Sequence, residues 1–204
     1  PANIPFVLLG TGMLRFGWFG FNAGSALAAN ETAVLAFLTT NTASAAAMLA
    51  WVLFDAVRGR RPSALGAAIG AVVGLVAITP AAGFVSVGAS IAIGTVASIV
   101  SNLAVHWKSK TALDDTLDVF PCHGMGGIVG MIATGVFADK VGLVHGDPTI
   151  FLRHLASIAI VGVYSFVGSW LIYKACDAAI TLRVRPEQES AGLDVSQHAE
   201  SYTS

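Results

Sequence analysis

The stretch FPCHGMGGIVG, residues 120–130, places a histidine inside a run of apolar and small residues. A side chain that titrates near neutrality is unusual in such a run, because its charged form is costly in an apolar environment. Gly124, Gly126 and Gly127 also remove side chains beside His123. We therefore consider two roles for His123: a helix-packing residue bonded to a neighbouring carbonyl, or a residue on the wall of a pore.

The composition around this stretch is that of a membrane protein. Of 204 residues, 55% are hydrophobic and 11% are charged, whereas a soluble domain carries about 25% charged residues. No basic patch with interleaved aromatic residues occurs, so we expect no nucleic-acid partner. The two cysteines, Cys122 and Cys176, have neither metal-type nor disulfide-type spacing, and we expect no metal and no cofactor.

Six apolar stretches approach the length of about 20 residues that a spanning helix needs. They are residues 4–24, 32–57, 63–84, 87–107, 121–138 and 151–182. We expect an all-α integral membrane protein with about six transmembrane helices in residues 1–182, followed by a polar tail in residues 183–204. Small residues spaced four apart favour close helix packing; they are Gly66, Gly70 and Gly74, Gly20 with Gly24, and Gly126 with Gly130.

The basic residues of alternate loops predict the orientation. One side holds Arg58, Arg60, Arg61, Lys108, Lys110, Arg183 and Arg185, and the other holds Lys140 and Arg153. The positive-inside rule puts the first set in the cytoplasm. We therefore expect a multi-pass protein of the cell (inner) membrane with both ends of this segment cytoplasmic.

Aromatic residues and a hydroxyl lie together at the outer end of the first span, in GWFGFNAGS, residues 17–25. Trp18 and Phe21 are three residues apart and so share a helix face. Aromatic residues at this depth are typical of the interfacial belt. With Ser25 beside them they would also suit a small cation, held by cation–π attraction worth about 1–2 kcal/mol when desolvated.

Charged residues near the spans leave alternatives open. The acids Asp114, Asp115 and Asp118 precede the fifth span, where they would either cap the helix or form a cation-attracting mouth. Arg15 lies near the middle of the first span. It would face a water-filled space, pair with a carboxylate, or lie at an oligomer interface.

Four motifs occur in order along the chain: GWFGFNAGS (17–25), GLVAITPAAGF (74–84), DVFPCHGMGGIVG (118–130) and GLDVSQHAES (192–201). Together they resemble the ammonium transporter (Amt/Mep) family, over essentially the whole chain. The resemblance implies an eleven-span fold built from two inverted repeats plus a last helix, assembled as a homotrimer. This chain resembles spans six to eleven, that is, the second repeat, the last helix and the tail.

The resemblance also implies roles for individual residues. His123 matches the second histidine of a pore pair, and Phe21 matches one ring of a stacked phenylalanine gate. Ser25 matches a hydroxyl at an outer ammonium site, where Trp18 lines the approach. Thr79 matches a threonine near the pore.

On the inner side, Asp115 and Asp118 match acids at the pore mouth. The tail matches a segment that couples to the PII nitrogen-signalling protein, through Gly192, Leu193, Asp194 and His198. We expect the tail to lie against the inner loops or to remain mobile, with acids such as Glu187, Glu189 and Asp194 able to meet Arg58, Arg60 and Arg61.

The expected function is transmembrane ammonium transport, and no enzyme activity is expected. Ammonium would be recruited outside and deprotonated, and ammonia would pass a hydrophobic pore lined by histidine, with net charge movement if the proton follows. Three alternatives stay open: a Rhesus-like channel for ammonia or carbon dioxide, an ammonium sensor with little flux, and a purely structural bundle.

Overall fold

The computed structural model describes residues 3–201 and divides the chain into two compact units, Pro1–Ile158 and Ala159–Ser204. Six apolar helices follow one another: α1 Ile4–Gly24, α2 Glu31–Val57, α3 Ala64–Ile78, α4 Val87–Lys108, α5 Met125–Phe137 and α6 Thr149–Ala179. One π-helical turn, Phe120–Gly124, leads into α5, and a short 3₁₀ turn, Leu143–His145, precedes α6. No strand occurs in residues 3–201, which agrees with the predicted all-α class.

Five membrane-length segments are apolar enough to cross a bilayer: α1, α2, α4, α6, and α5 taken together with its π-helical turn. Helix α3 is shorter, with 15 residues, although its apolar run was expected to extend to residue 84. The chain turns instead at residues 79–84. Pro80 has no backbone N–H to continue a helix, and Gly83 has φ +82°, a left-handed conformation that favours glycine.

The first four helices begin at side-chain caps. Asn3, Asn30, Ser63 and Ser86 each accept a hydrogen bond from the backbone N–H three residues later. Such a cap satisfies one of the N–H groups that a helix start leaves unpaired. The polar residue before each apolar run therefore sets where the helix begins.

Close backbone packing joins α2, α3 and α4. A Cβ built on Gly74 would lie 2.5 Å from the Ala43 carbonyl oxygen, and one on Gly70 would lie 2.9 Å from the Ala47 carbonyl oxygen. Gly94 of α4 also lies against the Ala43 carbonyl group. These contacts confirm the packing face predicted for the Gly66, Gly70 and Gly74 series.

The other two predicted glycine faces differ from each other. Gly130 lies against the Ala77 carbonyl group, so α5 packs closely on α3. A Cβ on Gly20 or Gly24 would instead have nothing within 4 Å in the described chain. The packing face predicted for Gly20 and Gly24 therefore has no partner in residues 3–201.

The second unit contains the later part of α6 and the tail. The tail forms a short helix, α7 (Pro186–Ala191), and a π-helical turn, Asp194–His198. The Ser196 hydroxyl donates to the Gln188 carbonyl oxygen at 3.2 Å, and Glu189 forms an ion pair with Arg183 at 3.2 Å. The tail thus has local structure of its own, which its polar composition did not predict. The domain boundary at residue 182 stays a prediction.

Candidate functional site

Trp18 and Thr79 come together although they are 61 residues apart in the chain. The Trp18 indole N–H donates to the Thr79 hydroxyl oxygen at 2.8 Å, and the Thr79 hydroxyl donates to the Leu75 carbonyl oxygen at 2.8 Å. The end of α3 therefore fixes the orientation of the Trp18 ring. The family resemblance implied that both residues lie near a pore, but nothing in the sequence indicated a hydrogen bond between them.

Phe21 and Ser25 lie on the same side of α1 as Trp18. The Trp18 and Phe21 rings meet edge to face, with centroids 6.0 Å apart and an interplanar angle of 77°. The Ser25 hydroxyl donates to the Phe21 carbonyl oxygen at 2.6 Å. A hydroxyl has a single proton, so this bond leaves the Ser25 oxygen free to act as an acceptor.

A cavity of about 210 Å³ opens at this end of the bundle. Phe21, Ser25 and Thr79 line it together with Ala82 and Phe84 from the turn after α3. The Phe21 side chain remains 61% exposed. Three of the five residues predicted for the pore and substrate site thus share one cavity, and Trp18 is bonded to one of them.

Asn22 is a wall residue of this cavity that the sequence analysis missed. It is buried, and its amide nitrogen donates to the Thr40 hydroxyl oxygen at 2.9 Å. Asparagine buried in an apolar helix needs such a partner. The polar residue within the GFNAGS run was the available signal, and Thr40 was its partner on α2.

His123 is presented by the π-helical turn Phe120–Gly124. Pro121, the second residue of that turn, has no backbone N–H, and the Met125 N–H bonds to the Phe120 carbonyl oxygen in the i to i+5 pattern of a π-helix. The side chain is exposed, and its imidazole has no hydrogen-bond partner within residues 3–201. One turn further on, Gly127 has open space where a Cβ would point.

His154 provides the contrasting case. Its Nδ1 lies 2.9 Å from the Met131 carbonyl oxygen, a bond between α6 and α5. This is the arrangement of a packing histidine, in which the imidazole satisfies a backbone group of a neighbouring helix. His123 lacks any such bond in the described chain, so the geometry favours the wall role over the packing role.

Asp115 and Asp118 organise the loop before α5. The Asp115 carboxylate accepts from the backbone N–H groups of Val119 and Phe120 at 2.8 and 2.9 Å. Burial would raise the pKa of Asp115, but these two N–H groups and Lys108 outweigh it and lower the pKa below its ordinary value. Asp118 forms an ion pair with Lys108 at 2.6 Å. The capping role is therefore present, and a role at the inner mouth stays a prediction.

Arg15 has a neutral partner. Its guanidinium donates to the Asn41 amide oxygen of α2 at 2.7 Å. None of the three surroundings considered for Arg15 included an amide on the neighbouring helix. Asn41 in the polar run TTNT, residues 39–42, was the signal available in the sequence.

The tail residues lie in the second unit. Gly192 ends α7 with φ +96°, a conformation that favours glycine, and Leu193, Asp194 and His198 follow in or beside the π-helical turn. Within the described residues no cluster of three or more His, Cys, Asp or Glu side chains forms a metal site.

These features define a multi-pass helical membrane protein, with aromatic rings and a hydroxyl at one end of α1 and an exposed imidazole at the start of α5. Residues 1–203 match the model described as Ammonium Transporter Family. The chain therefore belongs to the ammonium transporter family, as the four motifs predicted.

Curated relatives support this assignment. The chain is 44% identical to the ammonium transporter Amt1 of Archaeoglobus fulgidus over 205 residues, covering 98% of this chain and 52% of that protein. It is 45% identical to an ammonium transporter of Aquifex aeolicus, covering 98% of this chain and 48% of that protein. The chain thus spans about half the length of the curated relatives it matches.

Solved structures agree with the fold. The crystal structure of Saccharomyces cerevisiae Mep2 superposes with a TM-score of 0.86 at 33% identity, covering 92% of this chain and 45% of Mep2. A structure described as a sensor Amt protein superposes with a TM-score of 0.86 at 34% identity, covering 96% of this chain and 49% of that one. This chain is similar to about half of each of these proteins.

Proposed function

We propose that this chain supplies one wall of a pore through which a membrane protein transports ammonium. The observation that supports this most directly is the exposed imidazole of His123, unpartnered within the described chain and placed on a membrane-length helix. An ionisable group in such a position marks a substrate or proton path by default. Membership of the ammonium transporter family supports ammonium as the substrate.

The outer cavity suits ammonium as a ligand. Ammonium has N–H donors and no acceptor, and the Ser25 oxygen has its proton engaged with Phe21 and its lone pairs available. The Trp18 and Phe21 rings provide cation–π attraction of about 1–2 kcal/mol in a desolvated site. Thr79 holds the Trp18 ring in position through the indole N–H.

Passage beyond this cavity requires loss of the charge. Carrying an ion through a dry lumen is very costly, whereas ammonia is small and neutral. Neutral imidazole can both donate and accept a hydrogen bond. His123 can therefore offer hydrogen bonds to ammonia as it passes along the wall. Potassium is similar to ammonium in size but cannot lose a proton, and this difference supplies the selectivity.

A complete pore needs a second wall. The open faces of α1 and α5, at Gly17, Gly20 and Gly127, would be covered by the part of the relatives that this chain does not match. We propose that the complete protein forms a homotrimer with one pore in each subunit. The chain of residues 1–204 alone should then not conduct ammonium.

The experiment compares two samples reconstituted in liposomes on a solid-supported membrane: the complete protein and the chain of residues 1–204. We expect ammonium-evoked current that excludes potassium from the complete protein, and none from the isolated chain. Ammonia flux without current would favour a Rhesus-like channel. Ammonium binding without flux would favour a sensor, which the similarity to a structure described as a sensor Amt protein makes the second candidate.

We also propose that the tail faces the cytoplasm and couples transport to a PII-type protein. Its order in α7 and the Arg183–Glu189 pair supports a defined surface. Truncation of the complete protein after Arg185 should reduce or uncouple activity and leave the trimer intact, because membrane helices provide assembly. Wild-type transport with undiminished PII inhibition in the truncated protein would contradict this role.

A further inference from the structure

Arg15 is a charged residue of the membrane-length helix α1 that the proposed transport mechanism does not use. It is the twelfth of the 21 residues of α1, so it lies near the middle of the span. The guanidinium group keeps its positive charge at all physiological pH values. A charge at this depth is costly, and a residue that carries one is by default a candidate for a role in the passage of ions or protons.

The contacts of Arg15 hold the guanidinium in place without cancelling its charge. It donates to the Asn41 amide oxygen of α2 at 2.7 Å and has no ion pair within residues 3–201. Arg60, in contrast, pairs with the Asp55 carboxylate at 3.7 Å, beyond the membrane-length part of α2. Because the amide of Asn41 is neutral, the charge of Arg15 remains uncompensated in the described chain.

This charge lies beside the face of α1 that we propose to line the pore. An apolar groove of about 590 Å³ follows that face, and its lining includes Leu14, Trp18 and Phe21. Arg15 bonds to α2 and is not part of the lining, so its charge is behind the wall. With a helical rise of about 1.5 Å per residue, Arg15 lies about 5 Å below Trp18 and about 15 Å below Ser25 along the helix axis.

A fixed charge in this position acts on cations at a distance. Water and salt do not screen it inside a packed membrane protein as they do at a surface, and fixed arginine charges oppose cation entry in other selective pores. The repulsion acts on ammonium for as long as ammonium carries its charge. It does not act on ammonia.

We propose that Arg15 is a specificity-determining residue of the pore. Its charge weakens the binding of any monovalent cation in the outer cavity and opposes the movement of cations below Trp18, so that only a substrate able to release a proton passes. Arg15 does this through its field and does not contact the substrate. This inference rests on the transport function proposed above.

The test varies the charge at position 15 in the complete protein and measures current on a solid-supported membrane. Arg15→Gln should lower the ammonium concentration that gives half-maximal current about fivefold, the Boltzmann factor for two unit charges about 15 Å apart at an effective dielectric constant of about 20. Arg15→Lys keeps the charge and should leave that concentration unchanged. Methylammonium should show the same factor, because the field acts equally on monovalent cations.

Two matched controls separate the charge of Arg15 from its hydrogen bond and from total charge. Asn41→Ala removes the bond partner and keeps the charge, so it should not reproduce the shift of Arg15→Gln. Arg58→Gln removes one positive charge at the end of α2, where Arg58 lies over the Phe54 ring, 5.6 Å from its centroid. It should leave the concentration dependence unchanged.

Three results would overturn the inference. An unchanged concentration dependence in Arg15→Gln would show that the field does not reach the path, as when a carboxylate outside residues 1–204 neutralises Arg15. Equal shifts in Arg15→Gln and Arg15→Lys would show that the guanidinium shape matters and the charge does not. A shift for ammonium without one for methylammonium would show a rearranged site.

Each variant is compared at equal amounts of folded protein, with elution volume and thermal midpoint measured first. Arg15→Met removes the same charge with an apolar side chain, and it should shift the ammonium dependence as Arg15→Gln does. The two proposals fail differently. Absence of ammonium current in the wild type would contradict the proposed function, whereas wild-type current with an unchanged dependence in Arg15→Gln would contradict only the role of Arg15.

Discussion

Glycines in two regions of the molecule share a sequence pattern and differ in environment. In the α2–α3–α4 region, a Cβ on Gly70, Gly74 or Gly94 would lie within 3 Å of α2 backbone atoms. On the open faces of α1 and α5, which we propose to line the pore, a Cβ on Gly17 or Gly127 would meet nothing within 4 Å in the described chain. Glycine therefore permits close helix packing in the first region and leaves space in the second.

Two histidines of the membrane-length segments, His154 and His123, repeat this contrast. His154 bonds to the Met131 carbonyl oxygen and joins two helices. His123 projects from a π-helical turn without a partner in residues 3–201. Histidine thus joins two helices in one place, and in the other it has the exposure that the proposed role of His123 requires.

Substitution of the two kinds of glycine by alanine should give the largest difference. Gly74→Ala places a methyl group 2.5 Å from the Ala43 carbonyl oxygen and 2.7 Å from the Ala47 Cβ, and the helices must separate. We expect a loss of about 1–3 kcal/mol in the free energy of unfolding. Gly127→Ala meets no neighbour and should be neutral or stabilising by up to about 1 kcal/mol, because alanine is the better helix former.

The measurement is reversible unfolding in mixed micelles, with both variants in the same background. If Gly127→Ala proved as destabilising as Gly74→Ala, the wall of α5 would be packed in the complete protein, and the proposed lumen would lie elsewhere.

The histidines should separate stability from transport. His154→Leu removes a hydrogen bond and should lower the free energy of unfolding by about 0.5–1.5 kcal/mol, with ammonium current retained at the level of folded protein. His123→Leu loses no bond in the described chain and should unfold as the wild type does, while ammonium-evoked current falls. Unchanged current and unchanged potassium exclusion in His123→Leu would remove it from the path.

The helical architecture was predictable because apolar runs of membrane length indicate spanning helices. An Asn or Ser residue before such a run indicates where the helix begins. The end of α3 was less predictable, since its apolar run continues through the turn at residues 79–84. Side-chain pairs between helices were not predictable. The Trp18–Thr79 and Arg15–Asn41 bonds depend on helix rotation and depth, which one sequence without structure does not specify.

The site was predictable in part for a different reason. Trp18, Phe21, Ser25, Thr79 and His123 were selected through motifs, and four of them lie in or beside the outer cavity. The distinction between a wall histidine and a packing histidine required backbone geometry, because both lie in apolar runs.

Ser25 allows the smallest and most local test of the proposed pore wall. Its hydroxyl bonds to the carbonyl oxygen four residues before it and also lines the outer cavity. Thr42 on α2 makes the same kind of bond, to Leu38 at 2.7 Å, but does not line that cavity. Ser25→Ala and Thr42→Ala therefore remove equivalent intrahelical bonds, and only the first removes an acceptor from the proposed ammonium site.

In the complete protein we expect Ser25→Ala to weaken ammonium binding by about 0.5–1.5 kcal/mol, the usual net value of a hydrogen bond. The concentration that gives half-maximal current should rise in Ser25→Ala and stay unchanged in Thr42→Ala. Equal concentration dependence in both variants would mean that Ser25 only caps the end of α1.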